Sequence, residues 1–163
     1  MAKESSFDVV SQVDSNEVRN AVQLAQKELR TRYDFKGSAS SITQENDALV
    51  LISDNEGKLR SVVDLLEEKL VHRKVPLKAL RYGKVEAALG GTVRQRVIVN
   101  QGIDDEHARA INKLLRQRFK KIKVSIQGDA VRVFSSSKDE LQAVIQLLRE
   151  EDFGIPLQFI NYR

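Results

Sequence analysis

Apolar positions along the chain switch between a period of two and a period near 3.6, and the switches come in the same order twice. FDVVSQV (7–13) reads as a strand, with Asp14, Ser15 and Asn16 as turn and N-cap candidates. From Glu17 to Tyr33, Val18, Ala21, Val22, Ala25 and Leu29 fall at helical spacing. SASSITQ (38–44) and ALVLIS (48–53) predict two short strands around a turn at Asn46-Asp47. Leu59, Val62, Val63, Leu66 and Leu70 mark a second helix, and KALRY (78–82) a closing strand.

The second half repeats this order. VRQRVIVN (93–100) alternates like a strand, and Asp104 is placed to cap a helix running to about Lys121. KVSIQ (123–127) and AVRVFS (130–135) flank Gly128-Asp129, the chemistry of a tight hairpin. A helix is expected from about Lys138 to Glu151, followed by LQFINYR. Residues repeat along with the order: LRTRY (29–33) echoes LRQRF (115–119), and ALVLIS echoes AVRVFS. The two prolines of the chain open two similar endings, VPLKALRY (75–82) and IPLQFINYR (155–163).

The economical reading is an α+β chain of two βαββαβ units. Each unit is an antiparallel four-stranded sheet with two helices on one face, the ferredoxin-like plan. In that plan the last strand lies beside the first. Strand 78–82 is followed in sequence by strand 93–100, and consecutive strands tend to be neighbours. Strand 93–100 can therefore serve as first strand of a domain spanning 16–100. Strand 7–13 would then complete a second domain built from 1–15 and 101–163. The alternative is two units strung in order across a Gly90-Gly91 linker.

Composition narrows the classes. With 163 residues and 41% apolar content the chain can bury a core, and 31% charged residues solvate its surface. MAKESSFDVV has no long apolar stretch behind its lysine, so a secretory signal is not expected, and no window has the length of a membrane span. Zero cysteines exclude disulfides, zinc-thiolate sites and Cys nucleophiles, and make the cytoplasm the default compartment. The net charge is +4. Acids and bases balance through residue 92, so the whole excess lies in 93–163 and favours an anionic partner.

SFDVVSQVD, NAV (20–22), RYDFK (32–36), NQGID (100–104), SIQGDAVRV (125–133), DELQAV (139–144) and LQFINYR together resemble the YajQ family of bacterial nucleotide-binding proteins. The resemblance spans nearly the whole chain. It implies tandem RNP-like, ferredoxin-like domains with exchanged N-terminal strands. It also implies a partner among nucleic acid and nucleotides such as GTP or cyclic di-GMP.

In such a fold the sheet face away from the helices is the binding face, and strand alternation selects its side chains. In KALRY, Leu80 and Tyr82 are assigned to the core, which sends Ala79 and Arg81 outward. In VRQRVIVN, Val97 and Val99 go inward, sending Arg94 and Arg96 outward. Three guanidiniums on neighbouring strands repel unless an anion or carboxylate sits among them, and guanidinium matches phosphate geometry. The alternative is pairing with acids of the other domain. In the second sheet Arg132 and Phe134 are read as outward, and Phe159, Asn161 and Arg163 as opposite in facing to Ile160. Arginines interleaved with aromatics suit phosphate contact and base stacking, although an exposed Phe also suits a domain interface.

The aromatic signature of RNA-recognition strands is absent from DALVLIS and DAVRVFS, so phosphate contacts should dominate any nucleic-acid binding. A further basic stripe runs along the helix from 104: Arg109, Lys113, Arg116 and Lys120, extended by Lys121 and Lys123. It is either a solvated face or a phosphate-binding ridge.

Catalytic constellations are thin. Asp104-Asp105-Glu106-His107 fits helix capping better than a metal site, since consecutive side chains diverge. No phosphate-binding glycine loop, nucleophile elbow or zinc-protease helix occurs in the sequence. VNQGIDDEH begins like an acylphosphatase phosphate cradle, but Glu106 stands where the arginine belongs. The expectation is a non-enzymatic binding protein without cofactor or metal, working off the membrane. The competing class is a protein-interaction or small-ligand regulatory module.

Overall fold

The computed structural model describes residues 3–46 and 48–163. Among the described residues nine strands and four α-helices follow one another, and the chain divides into two units. One runs from Val13 to Asn100; the other unites the residues up to Gln12 with Gln101–Arg163.

In the unit Val13–Asn100, α1 (Ser15–Thr31) starts at Asp14, whose carboxylate accepts from the Asn16 amide at 2.9 Å. The strands β2 (Ser41–Glu45) and β3 (Ala48–Ser53) form a hairpin; Asn46 turns it with φ 54°, and Asp47 of the expected turn lies outside the described residues. Asn55 caps α2 (Glu56–His72) by accepting from the Lys58 amide at 2.8 Å. Then come β4 (Leu80–Tyr82), the short β5 (Glu86–Ala87) and β6 (Val93–Val99). The antiparallel sheet has the order β2-β3-β6-β4, with β5 also on β6. Leu80 lies opposite Val99 and Tyr82 opposite Val97. Both helices bury Ala21, Val22, Ala25, Leu59, Val62 and Leu66 with Leu49, Leu51, Val97 and Val99 of the sheet. These are the positions at helical and alternate spacing.

The other unit contains β1 (Ser5–Val10), α3 (Asp105–Arg118), β7 (Lys123–Gln127), β8 (Ala130–Ser135), α4 (Lys138–Glu150) and β9 (Gln158–Ile160). Its antiparallel sheet has the order β7-β8-β1-β9, so β1 bonds to strands more than a hundred residues away. Gly128, at φ 62°, turns the β7–β8 hairpin where Gln127 faces Ala130. The core joins Phe7, Val9, Val131 and Val133 to Ile111, Leu115, Val144 and Leu148 of the helices. The acids that open α3 cap it: Asp104 Oδ1 accepts from the His107 amide at 2.8 Å and sits 2.7 Å from the His107 ring.

Four local expectations need correction. Lys78 and Ala79 belong to a 3-10 turn, Leu77–Ala79, rather than to the closing strand. That turn rotates the Ala79 side chain inward, so Ala79 is buried, not outward. Tyr82 does share the face of Leu80, but at the strand's end it stays half exposed and donates its hydroxyl to Glu67. The third correction is α3, which ends at Arg118 instead of near Lys121. The Phe119 backbone is extended and its N–H returns to the Leu115 carbonyl at 2.8 Å, leaving Lys120 and Lys121 beyond the helix.

The fourth is the alternation of LQFINYR, which a bulge resets. Asp8 faces Ile160, whereas Ser6 and Arg163 exchange backbone bonds at 3.2 and 2.9 Å. Two residues of β1 thus oppose three of the last segment, and Asn161 takes up the difference with φ 58°. Phe159 falls opposite Val9 on the helix-covered face, not on the outer one. Its ring meets Phe7 edge-on at 6.0 Å between centroids, under the Arg149 guanidinium at 5.5 Å.

Gly102 is where the fold tolerates no side chain. It has φ 85°, donates its amide to the Ser11 carbonyl at 2.7 Å, and a Cβ there would lie 2.9 Å from the Asp129 Cβ. Gly102→Ala is expected to lower unfolding free energy by about 2 kcal/mol or more in a urea titration, through both backbone strain and that clash.

Candidate functional site

The register confirms which way the arginines of the first sheet point. Arg94 and Arg96 alternate with the buried Val97 and Val99 parity, and Arg81 stands opposite Ile98 on the same side. All three are exposed, but the face is not an uncompensated cationic platform. Arg94 meets Glu86 at 3.2 Å and Arg96 meets Glu45 at 3.4 Å. Both acids belong to the same sheet, β5 and β2, rather than to the other unit. Such half-exposed pairs hold weakly, about 0–1 kcal/mol each, yet they remove most of the repulsion that would attract a phosphate. The neighbouring Ala48 and Val50, which share this face across β3, are buried, so its centre is no open platform.

Arg132 is committed more firmly. It lies opposite Asp8 on β1, and Asp8 is buried, with 9% of its side chain exposed. Arg132 Nε donates to Asp8 Oδ1 at 2.7 Å and its Nη2 to Oδ2 at 3.3 Å. Asn161 Nδ2 donates to the same Oδ2 at 2.8 Å, which is what the bulge at Asn161 achieves. The Arg132 hydrogen bond holds the Asp8 carboxyl below its usual range against the opposing effect of burial, helped by Asn161 and by the charges of Arg132 and Arg163. Arg163, paired through its backbone with Ser6, is exposed, and its charge bears on Asp8. Phe159 is removed from the set by its place over Phe7.

The remaining candidates do meet one another. Arg116, Lys120 and Phe134 line one groove of about 790 Å³ at the β7 edge of the sheet, together with Phe119, Lys123 and Glu4. Local structure explains the convergence. Leu115 is buried and fixes the last turn of α3, so Arg116, one residue on, points out beside it. The extended backbone at Phe119 then carries Lys120 back along the edge strand. Lys123 opens β7 directly opposite Phe134 on β8, which sets a cation and a ring side by side. Arg116 Nε donates to Asn112 at 2.9 Å, and among the described residues neither Arg116 nor Lys120 is in an ion pair. The groove's one acid, Glu4, sits 3.6 Å from Lys123. Lys121 is exposed but does not line the groove.

Phe119 is absent from the site residues expected from the sequence, and Lys123 figures there only as the extension of a helical stripe. What marks both is the edge strand: residues just before and at the start of β7 border whatever the end of α3 leaves open.

Residues 5–163 match the family described as nucleotide-binding protein YajQ-like. The chain belongs to this family. Among curated relatives, a nucleotide-binding protein of Desulfitobacterium hafniense is 56% identical over 163 residues, covering all of both chains. One from Heliobacterium modesticaldum is 55% identical over the whole of this chain and 99% of its own, and one from Bacillus cereus is 55% identical over all of both. No helix among the described residues is long and apolar enough to cross a membrane.

Within this YajQ-like chain, the Asp8 cluster acts as a structural charge pair. Asp8→Ala is expected to lower stability by about 1.5–3 kcal/mol, because it removes the charge-assisted hydrogen bonds from Arg132 and Asn161. The sign of the pH dependence follows from the depressed carboxyl. Its contribution is complete above the unfolded value of about 3.9 and is lost as pH falls through the lower folded value. Denaturation midpoints taken from pH 6 down to pH 2 should therefore fall less steeply for Asp8→Ala than for the unaltered chain.

Proposed function

We propose that the protein binds nucleotides or single-stranded nucleic acid through phosphate contacts in the groove at the end of α3, rather than on the sheet faces. The observation that carries this reading is the convergence of Arg116, Lys120 and Lys123 with the rings of Phe119 and Phe134 in one cleft. Cations beside apolar rings are the elements that hold a phosphodiester and stack a base. The groove is wide and lies open along a strand edge, which suits a chain of phosphates as well as a single nucleotide. RNA, GTP and cyclic di-GMP share that chemistry.

The scaffold in this reading is a pair of ferredoxin-like, RNP-like domains. The strand orders β7-β8-β1-β9 and β2-β3-β6-β4 support it, with β1 and β6 as the exchanged first strands. The central-strand aromatics that RNP domains stack on are replaced here by Asp8, Arg132, Arg94 and Arg96, so binding shifts from the face to the edge. In this reading the protein works by binding: the groove's cations, its rings, the Ser125 hydroxyl and the ion-paired Glu4 are groups that hold a phosphorylated ligand.

A second reading rests on the other unit. Leu89 is 94% exposed and borders a cleft with Ala87, Ala88 and Ile52, the composition of a protein-docking patch.

Titration with a labelled single-stranded RNA and with GTP, each at 50 and 200 mM salt, tests the proposal. Arg116→Glu with Lys120→Glu should weaken binding at least tenfold and flatten the salt dependence. Arg94→Ala with Arg96→Ala should leave affinity within about twofold, since those guanidiniums already hold carboxylates. Binding that survives the first pair and disappears with the second would return the site to the sheet face. Silence toward both ligands at low salt would favour the docking patch.

A further inference from the structure

The duplicated segment LRTRY, which matches LRQRF, builds a groove of its own. At the end of α1 a cleft of about 690 Å³ is lined by Arg30, Arg32, Tyr33, Lys36, Ser38 and Ser40 among others. Leu29, like Leu115, is the buried anchor of the last helical turn, so Arg30 corresponds to Arg116 and Tyr33 to Phe119. The edge strand bordering this cleft is β2, which holds the place in its sheet that β7 holds in the other. Gln26 ties the helix to that edge by donating to the Ile42 carbonyl at 2.7 Å.

The charged side chains that line this cleft are all basic. Three cations line it, and no aspartate or glutamate does among the described residues. Arg32 is held by Asp34, with its Nη2 2.8 Å from Oδ2. Arg30 and Lys36 are in no ion pair among the described residues. The helix dipole accounts for a cation in the last turn of α1, such as Arg30, but not for Lys36 beyond the next 3-10 turn. Tyr33 is 88% exposed, while Phe35 beside it is buried between the Arg32 and Lys58 cations. The ring on offer is therefore Tyr33, in the cleft with Arg30 and Lys36; the Ser38 and Ser40 hydroxyls beside it are already engaged, Ser38 with Asp54 and Ser40 with Ser53.

We propose that this cleft is a second nucleoside-phosphate site, with Arg30 and Lys36 holding phosphate and the Tyr33 ring stacking the base. This rests on the reading that the chain's ligand carries a phosphorylated nucleoside, but not on which groove takes it. Each chain then offers two sites built from equivalent parts of the repeat.

Calorimetric titration of the full chain with GTP at low salt decides the matter, with circular dichroism confirming that each variant is folded. The expected stoichiometry is two per chain. Arg30→Glu with Lys36→Glu should remove one site and leave the other's affinity unchanged. Tyr33→Ala should weaken that same site about tenfold, and Tyr33→Phe should restore it, since stacking needs the ring and not the hydroxyl. If Arg30→Glu with Lys36→Glu changes neither stoichiometry nor affinity, while Arg116→Glu with Lys120→Glu abolishes binding, the second site is overturned and the groove at α3 stands. If the reverse holds, the cleft at α1 is supported and the groove at α3 is overturned. Absence of GTP binding overturns this proposal, and the RNA titration then decides the function separately.

Discussion

Every interior strand must find backbone partners along both edges, and for β1 that requirement is met from afar. The β1 strand sits between β8 and β9, with Phe7 and Val9 fully buried, so every one of its main-chain groups needs a bond that only residues beyond 129 supply. Pairing across such a separation costs loop-closure entropy, though that cost rises slowly with length. It is offset by the apolar rows that β1 and β8 present to the helices, Phe7 against Val133 and Val9 against Val131. Once that strand is seated, the positions of Asp8 and Ser6 on its reverse side follow, and so does the chemistry of that face.

That reverse side carries a lesson about arginines on sheets. Alternation tells which way a side chain points, and for Arg94, Arg96 and Arg132 it points where the pattern says. It does not tell what stands opposite. Asp8 is set into an apolar strand, FDVV, where a buried carboxylate needs a cation and further donors. Arg132 and Asn161 answer that need. Glu45 and Glu86 answer Arg96 and Arg94 less completely, from strands whose own alternation is weak or which are only two residues long. The guanidiniums are thus largely consumed by the sheet itself, whereas at the edges Arg116, Lys120, Arg30 and Lys36 have no such partners among the described residues.

Much of the architecture was legible because it depends on periodicity. The four helices and eight main strands each answer to an expected segment, although β1 runs over Ser5–Val10 rather than 7–13, and Asp14 and Asp104 cap as their residue types suggest. What failed was phase, at places where a non-repetitive backbone intervenes. The 3-10 turn at Leu77–Ala79 turned Ala79 inward. The left-handed Asn161 put Phe159 and Asn161 on different faces, although simple alternation would keep them together. A helical pattern also continues through Phe119 to Ile122, whereas the chain leaves the helix at Arg118 so that Phe119 and Ile122 can pack on the core from an extended segment. Both grooves form at such departures, so periodicity picked out Arg116, Lys120 and Phe134 but not their convergence, and none of the cleft at α1.

The repeat nevertheless explains why departures occur at matching places. After LRTR and LRQR the chain must leave the helix, cross the end of the sheet and enter its edge strand, and both copies do so within ten residues. In the first copy Asp34 and Lys58 engage that crossing, Asp34 by pairing with Arg32 and Lys58 by donating to the Asp34 carbonyl. In the second copy the positions of Asp34 and Phe35 are taken by Lys120 and Lys121. A fold that needed a charge of one sign at this corner would not accept both solutions. The backbone route is therefore the shared constraint, and the cations around it, differently arranged in each copy, are not demanded by the fold.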